Sequence, residues 1–360
     1  MVVDVEVSAT VVAAAPLSSP PHAASDPAAI AASPSTASAL IARNLTGWST
    51  VSLGHVTATD EVLTYPGARR PDRRRRVDAH GVGIAAYEWG DLDAPPIMLC
   101  HGGMDFAATF DLIAPLLADA GWRVIAWDQR GHGDSDYAAL YSWDADVRDA
   151  LAVLDSTSRS PVPVVGHSKG GGLMMQLAEA MPHRVSHLAN LDGLPSKRLP
   201  PDIANHERTR LLAKDLEDWL DHRLRSTDAQ RRPGTIDELA ERRARMNPRL
   251  SRDWLRYIVT IGARQDEDGW RWKLDPSMRF GGFGPWRPEW SLMRLPGLSM
   301  PFLGVLGLEY EEMGWGTKPE DVVGYLPLGA RFVPLEDTGH FVHIEQPETV
   351  ANLILELVAA

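Results

Sequence analysis

The residues Val164-Val165-Gly166-His167-Ser168-Lys169-Gly170-Gly171-Gly172 set a serine between glycines two positions to either side, where an apolar run gives way to a helix-forming segment. Gly-x-Ser-x-Gly at a strand-to-helix junction is the pattern of an exposed nucleophile. A sharp turn there strains the serine backbone, and the flanking glycines remove Cβ atoms that would clash across it. The hydroxyl is then expected at the carboxyl end of a sheet. The following helix aims free N–H groups and the positive end of its dipole at any anion that develops. A glycine-rich turn that only packs a helix closely on a strand is the plainer explanation of the same letters. The strand before and the helix after favour Ser168 as a nucleophile.

A serine hydroxyl needs a base to take its proton. Asp337-Thr338-Gly339-His340-Phe341, directly after the last expected strand, offers one. His340 falls on a loop, which suits a mobile, solvent-reached imidazole, and is the candidate base. His343, three residues on, competes for the role.

The elements that would hold these groups alternate along the chain. Residues 77–80 and 82–89 read as two short strands joined at Gly81. Residues 96–100 form an apolar run without alternation, the mark of a strand buried on both faces. Residues 122–127, 162–165 and 185–191 read as further strands. Helical spacing occupies 106–120, 143–154 and 169–180. Strand–helix alternation of this kind means a parallel sheet with helices on both faces. The pattern stops over residues 196–295, which are helical in character and hold six of the twelve tryptophans. That stretch has 21 basic and 16 acidic residues, against 15 and 32 in the rest, and reads as an insertion. Strand-like runs resume at 301–306 and 330–335, and a final helix covers 348–357.

The chain has 360 residues, 44% hydrophobic and 23% charged, enough for one large globular domain or two modest ones. A net charge of −12 argues against a general nucleic-acid binder. The single cysteine, Cys100, excludes an internal disulfide or a cysteine-only zinc site, and in a buried strand it reads as core. No run of 18 apolar residues exists, so no membrane span is expected. Residues 1–46 read as a disordered tail. The first 42 contain 25 Ala, Ser or Pro, no Phe, Trp or Tyr, and no Lys or Arg. A secretory signal needs a basic start, so the expectation is a cytoplasmic protein, with a weakly recognised export signal as the alternative.

GHSKGG, the His101-Gly102-Gly103 turn, DQRGHGDSD at 128–136 and TGHFVHIEQPE at 338–348, in that order and spacing, resemble the α/β-hydrolase superfamily over roughly residues 72–195 and 296–360. The resemblance implies a mostly parallel, eight-stranded α/β sheet. It assigns 47–195 and 296–360 to the core and 196–295 to a helical cap. It also implies that Ser168 attacks, that His340 is the base, and that two backbone N–H groups form an oxyanion hole. One belongs to Lys169. The other belongs to Gly103, with Met104 as the alternative. The acid of the triad should lie between serine and histidine in the chain. Members usually carry it three residues past a glycine after the seventh strand, but there this chain has Tyr310 after Gly307, flanked by Glu309, Glu311 and Glu312. Other members carry it at the end of the sixth strand, where this chain has Asp192. A carboxylate at a central strand end is costly to bury unless paired. Asp192 is therefore the leading candidate and Glu309 the alternative, with Glu311, Glu312 or no acid at all left open.

The expected chemistry is cleavage of an ester or related acyl substrate through an acyl-enzyme, with no cofactor and no metal, since no metal-binding or nucleotide-binding motif is present. Perhydrolase, amidase, thioesterase or carbon–carbon bond hydrolysis could run on the same triad. A ligand-binding protein that kept the fold without turnover is the rival of another class. The partner expected is a small molecule, an apolar or aromatic ester if the insertion's tryptophans line its pocket; they serve equally well as core. Epoxide hydrolase or dehalogenase chemistry is disfavoured because those relatives use an aspartate nucleophile. The Lys169 side chain is expected to point to solvent. Arg69, Arg70 and Arg73–Arg76 read as a solvated basic run before the first strand, and Arg130 and Asp134 as local ion partners.

Overall fold

The computed structural model describes residues 63–194, 206–226, 228–278 and 290–359. The expected tail at 1–46, residues 47–62 of the expected core, and the segments 195–205 and 279–289, which fall almost wholly within the insertion, lie outside the described residues. Eight strands form one sheet: β1 Arg73–Asp78, β2 Gly83–Trp89, β3 Pro96–Cys100, β4 Arg123–Trp127, β5 Val162–His167, β6 Val185–Leu191, and, beyond the insertion, β9 Phe302–Gly307 and β10 Arg331–Leu335. Their order is β1-β2-β4-β3-β5-β6-β9-β10. β2 pairs antiparallel with both β1 and β4, and the other pairs are parallel. The chain thus adopts the mostly parallel eight-stranded α/β architecture expected of it.

The strands read as continuous apolar runs because helices cover both faces. Met98, Cys100, Val162 and Val164 point to one side, packing with Ala150, Val153 and Leu154 of helix α2 (Trp143–Thr157) and Leu173, Met174 and Leu177 of α3 (Lys169–Ala180). Ile97, Leu99 and Val165 point to the other, against Ile113 and Leu117 of α1 (Ile113–Asp119) and Val350 and Ile354 of the C-terminal helix Pro347–Ala359. Cys100 is part of the first cluster, as core.

Two local expectations are corrected. The arginines 73–76 are not a solvated lead-in; they are β1 itself. Their side chains alternate across an edge strand, a period-2 pattern that charge had hidden. Arg75 donates to Glu88 Oε1 at 2.6 Å, and Arg76 pairs with Asp136. Arg130 and Asp134 are not partners of each other. Arg130 grips Asp149 through two bonds of 2.6 Å, whereas Asp134 pairs with Lys273 and Arg74.

Within 196–295 the described residues form α4 His206–Ser226, α5 Ile236–Met246, α6 Arg252–Gly262, a hairpin of β7 Ala263–Asp266 and β8 Gly269–Trp272, and α7 Trp290–Arg294. The hairpin stands where only helix was expected. Thr235 and Glu238 close a reciprocal capping box at the start of α5, and Ser251 caps α6. The insertion's core is Leu239, Trp254, Leu255 and Ile258, continuous with Phe106, Leu112 and Phe341 of the main body. Trp254 is buried in this cluster and Trp270 and Trp272 pack against the cluster, so these three tryptophans serve as core. No helix among the described residues is long and apolar enough to cross a membrane.

Candidate active site

β5 ends at His167 and α3 begins at Lys169, leaving Ser168 alone in the turn with φ 52° and ψ −121°. A non-glycine residue rarely holds that backbone, and at φ > 0 it costs on the order of 1–3 kcal/mol. Tight packing enforces it. A Cβ on Gly166 would sit 2.3 Å from the Gly170 carbonyl oxygen, and one on Gly170 would sit 2.2 Å from that of Cys100. Both flanking glycines are therefore required by their surroundings, as the motif argument expects. The Ser168 N–H donates to Leu191 O at 2.9 Å, which ties the turn to the end of the neighbouring strand β6.

One residue past β6 stands Asp192, itself at φ 48°. Its N–H donates to Val305 O at 2.8 Å, and its Oδ1 accepts the Gly307 N–H at 3.0 Å. Its Oδ2 lies 2.5 Å from His340 Nδ1. β9, which ends at Gly307, is the sheet neighbour of β6. An acid at the end of either strand can therefore face the same histidine. Glu309, by contrast, is exposed on the loop beyond β9. The structure joins Asp192, and not Glu309, to His340.

His340 is buried rather than solvent-reached, and it is held on three sides. Besides Asp192, Glu311 Oε2 accepts its backbone N–H at 2.7 Å, and its carbonyl accepts His167 Nε2–H at 2.9 Å. Burial pushes the Glu311 carboxyl up, opposed chiefly by that N–H. The contact of Glu311 is thus to the backbone of His340 and not to the ring. Gly307 matters here too, since a Cβ on it would lie 2.0 Å from Gly339 O where the histidine loop crosses the strand end. No hydrogen bond joins Ser168 Oγ to the His340 ring in this structure. Bonds of this kind are often long in unliganded enzymes and tighten around substrate.

His343 is fully buried, with neither ring nitrogen hydrogen-bonded. It stacks among His167 at 4.5 Å and Phe110 at 5.1 Å between ring centroids. Burial pushes its imidazole down to about 3. His343 is thus a neutral ring without a hydrogen-bond partner, whereas the His340 ring has one in Asp192.

The turn after β3 passes over the serine: a Cβ on Gly102 would meet Ser168 Cβ at 3.2 Å. Its peptides are oriented by buried histidines. Gln129 N–H donates to His101 Nε2 at 2.9 Å, so the proton of the neutral ring sits on Nδ1, which donates to Gly102 O at 2.7 Å. In a trans peptide the Gly103 N–H then points the opposite way. Burial holds His101 down near 3, so this tautomer persists. Met104, at φ 61°, has its N–H taken by His132 Nε2 at 3.2 Å. The Met104 N–H is therefore engaged, and the Gly103 N–H has no acceptor among the described residues. The Lys169 N–H, first in α3, has no intrahelical acceptor either.

The Lys169 side chain does not point to solvent. Its Nζ donates to Asp146 Oδ2 at 2.7 Å and Gln129 Oε1 at 2.9 Å and lies 5.8 Å from the centre of the Trp143 ring. An ion pair below the turn is a better place for a buried stem than the helix axis, where the cation would oppose the dipole. Nothing in local spacing signals this pairing, because Asp146 is contributed by a separate helix. Among the described residues, no cluster of three or more His, Cys, Asp or Glu is arranged to hold a metal ion.

The family model described as alpha/beta hydrolase fold matches residues 95–347. Relatives include a serine hydrolase-like protein of Dictyostelium discoideum, 40% identical over 32% of this chain and 34% of its own length. A serine hydrolase-like protein of Danio rerio is 24% identical over 62% of this chain and 66% of its own. The epoxide hydrolase A of Mycobacterium tuberculosis is 33% identical over 37% of this chain and 43% of its own. The matches thus span from about a third to just under two thirds of these relatives. Among solved structures, a thioesterase domain from the curacin biosynthetic pathway superposes with a TM-score of 0.67 at 24% identity, over 79% of this chain and 99% of its own. With the strand-to-helix turn at Ser168 (the elbow), the sheet order and the family model in agreement, the chain belongs to the α/β-hydrolase fold family.

Proposed function

We propose that the protein is a serine hydrolase that cleaves a small-molecule ester through an acyl-enzyme. The observation that carries this reading is the 2.5 Å contact of Asp192 Oδ2 with His340 Nδ1, next to a serine held at φ 52° in a strand-to-helix turn. Asp192 accepts the Nδ1 proton, so the lone pair of the neutral ring lies on Nε2, the nitrogen that faces away. As Ser168 Oγ bonds to the acyl carbon, its proton passes to Nε2, and the imidazolium is stabilised by Asp192. The oxyanion is received by the N–H groups of Gly103 and Lys169. The imidazolium then protonates the leaving alcohol, and His340 activates water to release the acid.

In this reading the insertion is a cap that sets the acyl and alcohol groups accepted. An apolar ester is the substrate class best supported, because the Lys169 ammonium is committed to Asp146 and is not free to bind an anion. The missing Ser168–His340 hydrogen bond favours one second reading, a binding protein of the same fold without turnover. Short p-nitrophenyl esters separate the two. The first reading expects saturable turnover that disappears in S168A, whereas the second expects binding with no p-nitrophenol released above the S168A background.

A further inference from the structure

The turn that would carry the oxyanion donor is held from the main body and also from the insertion. Arg243, on α5, is buried at 9% exposure. Its Nη2 donates to Asp105 Oδ1 at 2.5 Å and its Nη1 to Met104 O at 3.1 Å. The guanidinium also lies 5.8 Å from the centre of the Phe341 ring, on the residue after His340. Met104 is therefore gripped at both polar atoms: its N–H by His132 and its carbonyl by Arg243. A residue at φ 61° without a glycine's freedom keeps such a backbone only when its surroundings over-determine it. His132 can accept because its Nδ1–H is committed to Arg130 O at 3.0 Å. Asp105 is the counter-charge that lets a guanidinium be buried at this point.

We propose that Arg243 is a positioning residue that fixes the Gly103–Met104 turn from the insertion, so that the oxyanion donor is in place only when α5 is docked on the main body. The inference rests on the serine hydrolase reading and adds to it a physical link between the insertion and the rate of acylation. Arg243 touches no reacting atom. It acts through the Met104 carbonyl, and a shift of the turn by about 1 Å is enough to cost on the order of 10²-fold in rate.

The test uses the full-length protein and two variants. R243M removes the grip but strands the Asp105 carboxylate, which can unfold the protein. R243M/D105N removes both charges and keeps the fold measurable. With p-nitrophenyl butyrate as substrate, the expectation for both variants is a kcat about 10²-fold lower and a KM within about 3-fold of wild type. Affinity for an alkyl boronic acid, which forms a tetrahedral adduct on serine, falls in parallel with kcat. A merely structural role predicts otherwise: the double variant, assayed at a temperature at which its melt shows it folded, would turn over at the wild-type rate and bind the boronic acid equally well, and that result overturns the proposal. A wild-type protein that neither hydrolyses the ester nor binds the boronic acid overturns the underlying hydrolase reading, and this inference with it.

Discussion

Replacing Asp192 by asparagine exchanges one oxygen for an NH₂ group and should change which nitrogen of His340 carries the proton. The two oxygens of Asp192 have fixed duties. Oδ1 accepts from the Gly307 N–H, and Oδ2 lies 2.5 Å from His340 Nδ1. An asparagine keeps the first bond by presenting its oxygen to Gly307, which turns its NH₂ group toward the ring. His340 must then offer Nδ1 as acceptor and carry its proton on Nε2, where it can no longer take a proton from Ser168. Loss of the correct tautomer and of imidazolium stabilisation lowers kcat by about 10⁴-fold, or about 5 kcal/mol of barrier. The stability loss is smaller, about 1.5–3 kcal/mol, the worth of a hydrogen bond to a charged group. The assay is steady-state hydrolysis of a p-nitrophenyl ester, with circular dichroism melts to show that D192N is folded and E309Q as a control. Glu309 is exposed, so E309Q should stay within about 2-fold of wild type. A folded D192N with near wild-type kcat, or an E309Q as slow as that expected of D192N, would refute the assignment of the acid.

The strain at Ser168 should be visible as stability held back for function. S168G relieves a backbone cost on the order of 1–3 kcal/mol against a glycine entropy penalty of about 0.5–1 kcal/mol. The variant is expected to unfold about 1 kcal/mol harder than wild type in urea and to be inactive; a less stable S168G would contradict the strained-elbow account. His343 supplies a pH-dependent prediction. Burial lowers its native-state value to about 3, while the unfolded chain keeps an ordinary value near 6.5. Between those limits the unfolded state binds a proton that the native state refuses, so stability falls as pH is lowered from about 6.5. H343F removes that proton uptake and two unpartnered ring nitrogens. The slope of unfolding free energy against pH between 6 and 4.5 should become shallower by about 1.4 kcal/mol per pH unit. An unchanged slope would show that the ring is protonated or hydrated in the folded protein.

What could be read from the sequence was what depends on near neighbours. Val185–Leu191 and Lys169–Ala180 occupy the residues expected of them, because continuous apolar runs and helical spacing are local signals. The elbow was legible because a strained serine needs glycines two residues away on each side. Asp192 could be singled out because a carboxylate at a central strand end needs a partner. The partner's approach was not legible, since it depends on β6 and β9 lying side by side. The basic strand β1 was misread because four arginines in a row look solvated until Glu88 and Asp136 are brought opposite them. Lys169 was misplaced for the same reason, its partner Asp146 lying on another helix. The hairpin of Ala263–Asp266 with Gly269–Trp272 consists of strands of four residues, too short to show a period against a helical background. Asp105 and Arg243 carried no signal at all. They are 138 positions apart, and each alone resembles an ordinary surface charge.

The central claim is that Ser168 is a nucleophile activated by His340, and covalent labelling by a fluorophosphonate, followed by mass spectrometry of the modified peptide, tests it without knowledge of the natural substrate. The account predicts one adduct per chain on Ser168, none in S168A, and labelling slower by about 10³-fold in H340A. An adduct on another residue, or an H340A protein that labels Ser168 at the wild-type rate, would contradict it.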